Sequence, residues 1–149
     1  MKIYIGSDHA GFELKNKLKK YLEEKGHDVV DKGAFELNLV DDYPDFIEPV
    51  AQEIAKDPDA RGIILGGSGE GEAIDANRLK GVRATVYYGG SPDSGLEIVK
   101  LGREHNNANI LSLGARFITE EEAKKAADIF LNTEFQGGRH AKRIEEMDD

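Results

Sequence analysis

The segment Gly66–Glu72, which reads GGSGEGE, has residue types and spacing that suit chemistry on an anion. A glycine-dense turn before a helix exposes backbone N–H groups, and the helix dipole favours negative charge at that point. Such a turn can bind a phosphate or stabilise a developing oxyanion. Glu70 and Glu72 would repel a pyrophosphate, whereas a carboxylate beside an oxyanion site suits a general base. The alternative is that Glu72 only caps the helix dipole, which leaves four glycines unexplained.

Several other chemistries are excluded or not indicated. The glycine spacing fits neither a dinucleotide fingerprint nor a Walker A loop, because no Gly-Lys-Ser/Thr follows. None of the 149 residues is cysteine, which excludes disulfides, thiolate metal sites and a catalytic thiol. The four histidines show no metal-ligand spacing, and no serine lies in a nucleophile elbow. We therefore expect no metal and no cofactor.

Polar groups follow other predicted strands. Ser7-Asp8-His9 comes directly after the first strand and could bind an anion, or cap a helix beside an incidental histidine. Tyr43, in the run Asp41–Asp45, could hydrogen-bond a ligand, or be a half-buried aromatic next to a turn proline. Arg116 follows the last predicted strand and offers a basic group.

The charge balance restricts the partners. A net charge of −9 and a pI near 5.0 should repel nucleic acid and acidic membranes, so we expect neither as a partner. A small anionic ligand then needs a local basic pocket. The candidate is a cluster before the acidic tail, unless it is a solvated helix face: Arg139, His140, Lys142 and Arg143. His105, directly before Asn106, lies at a predicted helix C-terminus, where the helix dipole stabilises a positive charge.

Short β-branched runs alternate with helical patterns along the chain. The predicted strands are Lys2–Gly6, Asp28–Asp31, Gly62–Gly66, Arg83–Tyr88 and Asn109–Leu113. The predicted helices lie around 14–22, around 46–55, over Ala73–Leu79, after Ser91-Pro92, after the capping box Thr119/Glu122, and from about 137. This alternation predicts one α/β domain over residues 1–149: a doubly wound five-stranded parallel sheet with helices on both faces, flavodoxin-like or Rossmann-like. Ligands bind such sheets outside the carboxyl ends of the strands.

The chain also lacks an apolar run long enough for a signal peptide or a membrane span, so we expect a cytoplasmic location.

Five motifs in order resemble the type B ribose-5-phosphate isomerases: SDHAGFELK at 7–15, DYPD at 42–45, GGSGEGE with Ala76–Arg78, REHNNAN at 103–109, and GGRHAKR at 137–143. The resemblance covers residues 1 to about 144. Many members carry a cysteine base where this chain has Gly66. Another branch uses a glutamate at the helix start, which Glu72 matches.

The resemblance implies an aldose-ketose isomerase that acts on ribose 5-phosphate through an enediolate, in the pentose phosphate pathway. Glu72 would move the proton, and His105, assisted by Asp8, would open the sugar ring. The Gly67–Gly71 segment, with Ser68, Gly69 and Glu70, would hold the enediolate. Tyr43 and Asn106 would contact sugar hydroxyls. The residues that would bind the phosphate group or lie beside it are His9, Arg116, Arg139, His140 and Arg143.

Two alternatives stay open: the same chemistry on a hexose or tetrose phosphate, and a sugar-phosphate-binding module without turnover. The topology also bears on assembly. His105 ends a helix just before a strand and so belongs at the amino edge of the sheet, about 17–20 Å from Glu72. We therefore expect a homodimer, or a dimer of such dimers, whose active sites each take His105 from the partner.

Overall fold

The computed structural model describes residues 1–148, with only the backbone of Pro92. Strands and helices alternate from the first residues. The elements are β1 (Lys2–Ser7), a 3-10 turn (His9–Gly11), α1 (Phe12–Glu24), β2 (Asp28–Asp31), α2 (Pro44–Lys56), β3 (Arg61–Gly66), α3 (Glu70–Ala76), β4 (Ala84–Tyr87), α4 (Pro92–Glu104), β5 (Ile110–Gly114), α5 (Glu120–Asn132) and α6 (Arg139–Met147).

The five strands form one parallel sheet in the order β2-β1-β3-β5-β4. The order begins like the flavodoxin sheet, 2-1-3, but its last two strands are exchanged. The predicted α/β fold class is confirmed, and the order itself is one that the sequence left open. The three central strands β1, β3 and β5 all end in residues with small side chains, Ser7, Gly66 and Gly114. These residues leave room for loops to approach the carboxyl edge of the sheet.

Apolar helix faces cover both sides of the sheet. Leu18 of α1, Val99 of α4 and Phe130 of α5 lie in one buried cluster with strand residues such as Ile63. The other face is covered by α2 and by Ala76 of α3; α2 contributes Ile47, Val50, Ala51 and Ile54. The sheet is therefore buried on both faces, as expected of parallel strands.

Capping residues fix several helix starts as predicted. Ser91 caps α4, and the Thr119 and Glu122 side chains form the reciprocal capping box of α5. Helix α6 follows Gly138 and carries the basic cluster. None of the helices among residues 1–148 is long and apolar enough to cross a membrane.

Four predicted strands and one predicted helix have boundaries that differ from the structure. Three of the strands differ by one residue at one or both ends: Lys2–Gly6 is Lys2–Ser7, Gly62–Gly66 is Arg61–Gly66, and Asn109–Leu113 is Ile110–Gly114. The helix expected over Ala73–Leu79 begins at Glu70 and ends at Ala76. Gly69 has a φ of +83°, a conformation that favours glycine, and this starts the helix three residues early. The strand expected over Arg83–Tyr88 is Ala84–Tyr87, because the N–H of Arg83 donates to a side chain, Asn109 Oδ1 at 2.8 Å.

Candidate active site

The glycine loop joins the end of β3 to the start of α3 and is hydrogen-bonded to the neighbouring strand β5 and to the loop that follows it. The carbonyl groups of Gly66 and Gly67 accept from the N–H groups of Ala115 and Arg116, at 2.8 and 3.1 Å. The carbonyl of Gly69 accepts from Ser112 Oγ at 2.6 Å. The loop carbonyls therefore bond to one residue within β5 and to two residues directly after it. Among the hydrogen bonds of residues 1–148, none is donated by the N–H of Gly67 or Ser68. These N–H groups are free for a ligand.

Glu72 lies in the first turn of α3, and its side chain folds back over the end of β3. A Cβ atom placed on Gly66 would collide with the Glu72 carboxyl group, so residue 66 must be glycine while Glu72 holds this position. Glu72 is only 4% exposed. Burial raises the pKa of its carboxyl group, nearby Asp8 adds to the rise, and the N–H groups of Glu72 and Gly69 oppose it. A carboxylate with a raised pKa is a stronger base.

Asp8 and His9 follow β1 at the same edge of the sheet. The Asp8 carboxylate accepts from the N–H of Ala10 at 3.0 Å and so caps the 3-10 turn. Burial raises the pKa of Asp8, and Asp41 contributes to the rise. His9 is the first residue of this turn, and its Nδ1 is 2.7 Å from Asp41 Oδ1.

A cavity of about 520 Å³ lies over these groups. Tyr43, at the start of α2, forms one wall, and its ring atoms are 3.0 Å from where a Cβ on Gly71 would lie. The Arg116 guanidinium lies over Gly67, 3.1 Å from the corresponding Cβ position. The residues that line the cavity are Asp8, His9, Ala10, Tyr43, Gly67, Ser68, Gly71, Glu72, Arg116 and Phe117.

The structure therefore brings eight predicted site residues together. Two more, Gly69 and Glu70, belong to the loop and helix but do not line the cavity, and Glu70 is exposed. Ser68 Oγ accepts from the N–H of Glu70 at 3.2 Å, which shapes the loop before α3.

The other five predicted residues lie elsewhere in the chain's fold. His105 ends α4, five residues before β5 begins, and is therefore at the amino edge of the sheet. His140 of α6 stacks on it, with ring centroids 4.4 Å apart. Asn106 lines a separate cavity of about 370 Å³ with Arg83 and Thr85.

Arg139 and Arg143 are on α6, the same short helix as His140. Both are exposed, and within residues 1–148 neither forms an ion pair. Burial lowers the pKa of His140, and His105, Arg139 and Arg143 lower it further by repulsion. The His105–His140 stack and the exposed Arg139 and Arg143 of α6 thus lie together, separated from Glu72 by a strand length of roughly 15 Å.

One cluster among residues 1–148 has donor atoms close enough to hold a metal ion, and the histidine spacing did not reveal it. Donor atoms of Asp8, His9 and Asp41 lie within 4.8 Å of one another. Asp41 lies 33 positions after Asp8 and 32 after His9, so a search for local ligand spacing misses the cluster. The close His9–Asp41 contact already occupies one of these donor atoms.

Sequence reasoning also missed Asp41 as a site residue. Phe117 was missed as well, although it directly follows Arg116. Neither position carried a spacing signal.

Comparisons with known proteins agree with this geometry. A family model described as ribose/galactose isomerase matches residues 3–147. The chain is 43% identical over 146 residues to ribose-5-phosphate isomerase B of Mycolicibacterium paratuberculosis, covering 97% of this chain and 88% of the relative.

Two solved structures have the same fold over nearly their whole length. Ribose-5-phosphate isomerase B of Mycoplasma genitalium, solved with bound ribulose-5-phosphate, has a TM-score of 0.91 and 39% identity, over 98% of this chain and 93% of that one. A ribose 5-phosphate isomerase of Thermotoga maritima has a TM-score of 0.88 and 45% identity, over 99% and 97%.

Proposed function

Because the chain belongs to the ribose/galactose isomerase family, we propose that it interconverts ribose 5-phosphate and ribulose 5-phosphate. The observation that carries this proposal is the buried Glu72 carboxylate beside a glycine loop with free N–H groups. A base and an oxyanion site within one cavity are what proton transfer next to a carbonyl requires.

Glu72 acts as the base. It takes the proton from C2 of the open-chain aldose, and the electron pair moves to the carbonyl oxygen O1 to give an enediolate. The same carboxyl group then returns a proton to C1, while the O2 hydroxyl proton passes to O1. Burial favours the protonated carboxyl group that exists midway through this sequence, because it raises the pKa of Glu72.

The glycine loop holds the charge that develops. The N–H groups of Gly67 and Ser68 have no acceptor among residues 1–148, and the N-terminus of α3 follows them. The loop is fixed by its bonds to Ala115 and Arg116, so its donors are oriented before the reaction. This preorganisation lowers the cost of forming the enediolate.

We assign phosphate binding to the basic side chains near the cavity and on α6. Arg116 and His9 line the cavity that contains Glu72. Ring opening falls to His105, which would deliver a proton to the ring oxygen, with Asp8 on the other side of the sugar. Tyr43 and Asn106 would contact the sugar hydroxyls.

We further propose that the active site is shared between two copies of the chain. One copy contributes the cavity around Glu72, and its partner contributes His105, Asn106 and the α6 residues Arg139, His140 and Arg143. The support is geometric: His105 and His140 are stacked together, and both lie at the opposite edge of the sheet from Glu72. A two-fold dimer can bring these two edges together.

An activity assay tests the function directly. Purified chain is supplied with phosphorylated tetroses, pentoses and hexoses, and the aldose and ketose forms are quantified. Turnover is expected to be fastest with ribose 5-phosphate. Faster turnover of a hexose or tetrose phosphate would show that this sugar, and not ribose 5-phosphate, is the preferred substrate. Tight binding of a sugar phosphate without turnover of any sugar would show that the chain is a binding module and not an enzyme.

Subunit complementation tests the shared site. An equal mixture of Glu72→Gln and His105→Ala chains is unfolded and refolded. Random pairing makes half of the dimers mixed, and each mixed dimer has one intact site, so about a quarter of wild-type activity returns. A mixture that stays inactive despite demonstrated subunit exchange would refute the shared site.

We also propose, from the predicted reaction and sequence, a role in the pentose phosphate pathway and a cytoplasmic location. Cell fractionation followed by detection of the chain tests the location.

A further inference from the structure

His9 and Asp41 form a close pair between two loops at the carboxyl edge of the sheet. Asp41 Oδ1 accepts from the backbone N–H of His9 at 3.1 Å, and the same oxygen is 2.7 Å from His9 Nδ1. One carboxylate oxygen thus fixes both the backbone and the ring of His9. Asp41 lies in the loop before α2, 32 positions away in the sequence, so this contact joins two separate parts of the site.

Asp41 is buried in a way that stability alone does not explain. Its side chain is 6% exposed, while the His9 side chain is 24% exposed. The other carboxylate oxygen, Oδ2, is buried and has no hydrogen-bond partner among residues 1–148. Burying a half-satisfied carboxylate costs free energy, and such groups call for a functional explanation. Asp8 lies nearby: burial is the main reason why its pKa is raised, and repulsion from the Asp41 charge adds to the rise.

The pair determines which ring nitrogen of His9 is left for a ligand. A carboxylate accepts hydrogen bonds only, so His9 Nδ1 must carry a proton to donate to Asp41. The remaining nitrogen, Nε2, is therefore the one that a ligand in the cavity can use. An anion requires a donor at Nε2, and only the doubly protonated ring offers donors at both nitrogens. The ring would then lie between two anions, Asp41 and the bound phosphate.

We propose that Asp41 is a positioning residue that holds His9 in the orientation and protonation pattern needed to bind the phosphate group of the substrate. This inference rests on the proposed function for the identity of the ligand. It predicts that Asp41 acts only through His9.

Inorganic phosphate is the probe that tests the inference without relying on turnover. Its dissociation constant is measured by calorimetry for the wild type, Asp41→Ala, Asp41→Asn, His9→Ala and the double variant His9→Ala/Asp41→Ala. Asp45→Ala is the matched control. It removes one negative charge from an exposed position nearby at the start of α2, and Asp45 makes no side-chain hydrogen bond to His9 among residues 1–148.

We expect Asp41→Ala to weaken phosphate binding about tenfold, the size of a lost charge-assisted hydrogen bond. Asp41→Asn keeps an acceptor oxygen and the fold, and should weaken binding less. The double variant should bind phosphate no more weakly than His9→Ala, and Asp45→Ala should bind like the wild type. In ¹⁵N spectra of the phosphate complex, both ring nitrogens of His9 should carry a proton in the wild type, and Nδ1 should lose its proton in Asp41→Ala.

Three results would overturn the inference. These are unchanged phosphate affinity in Asp41→Ala, additive losses in the double variant, or a His9 Nδ1 that stays protonated in the phosphate complex of Asp41→Ala. Absence of phosphate binding by the wild type would overturn it as well. Turnover of ribose 5-phosphate is assayed separately, so a chain that binds phosphate through His9 but isomerises nothing would refute the proposed function alone.

Discussion

Replacing Glu72 with glutamine should affect activity and stability in opposite directions. The variant keeps the shape of the side chain but cannot accept the substrate proton. A general base contributes roughly 10²–10⁴ to the rate, so kcat should fall by that factor. At 1.36 kcal/mol per tenfold, this corresponds to a barrier about 2.7–5.4 kcal/mol higher. The substrate affinity should stay near normal, because glutamine fills the same space.

The stability effect follows from the environment of the carboxyl group. Glu72 is 4% exposed, and burial raises its pKa above the ordinary value of 4.5. Below the pKa of the unfolded chain, Glu72 is protonated in both states and its contribution is fully present. As pH rises through the folded pKa, the folded state must lose a proton that it holds more tightly than the unfolded state does, and stability falls. Glutamine has no such loss, so the variant should gain in Tm over the wild type as the pH rises above 4.5, the ordinary pKa of a glutamate.

Glu70→Gln is the matched control. Glu70 occupies the same first turn of α3 and has the same charge near the helix dipole, but it is exposed. Its replacement should change neither kcat nor the pH dependence of Tm. The assays are steady-state kinetics and thermal unfolding at pH 4 to 8. Near-wild-type kcat in Glu72→Gln, or an equal stability change in both variants, would refute the assignment of Glu72 as a buried base.

Three other outcomes are expected. Arg139→Ala and Arg143→Ala should mainly raise KM, because phosphate contacts stabilise the ground and transition states alike, and equal inhibition of variants and wild type by inorganic phosphate would contradict this. Gly66→Ala should lower kcat by about 100-fold, the effect of displacing a catalytic group by about 1 Å, since an added Cβ collides with Glu72; a kcat equal to that of the wild type would show that Glu72 need not hold its place. Dialysis against a chelator should leave activity unchanged, whereas activity lost and then restored by a divalent ion would show a metal requirement.

Local patterns predicted the elements well because local forces fix them. The capping box of α5 and the serine cap of α4 are short-range hydrogen bonds, and the apolar spacing of α2 matches its buried face. The start of α3 was predicted three residues late because the left-handed Gly69 that begins it is one glycine among several in the loop. The strand order was left open because it depends on how strands pair, which their own sequences do not specify.

The candidate site also has a part that local sequence patterns predicted and a part that they did not. Groups that directly follow strands β1, β3 and β5 were predicted correctly to share one edge, because parallel strands align their carboxyl ends. The His9–Asp41 contact and the His105–His140 stack were not predicted. Each joins residues more than thirty positions apart, and the loop path that brings them together is not visible in either local segment.

The distribution of charge gives a physical reason why one copy of the chain should be a poor isomerase. The chain has 29 acidic residues against 20 lysines and arginines, and its cavity holds two carboxyl groups, Glu72 and Asp8. The single arginine that lines this cavity, Arg116, would have to hold a phosphate group against their field. Burial raises the pKa of both acids, which lessens that repulsion without removing it. In the proposed dimer, the α6 residues of the partner add positive charge where the cavity most needs it. Substrate binding would then depend on assembly, because the proposed base and the α6 residues proposed to bind phosphate lie at opposite edges of one sheet.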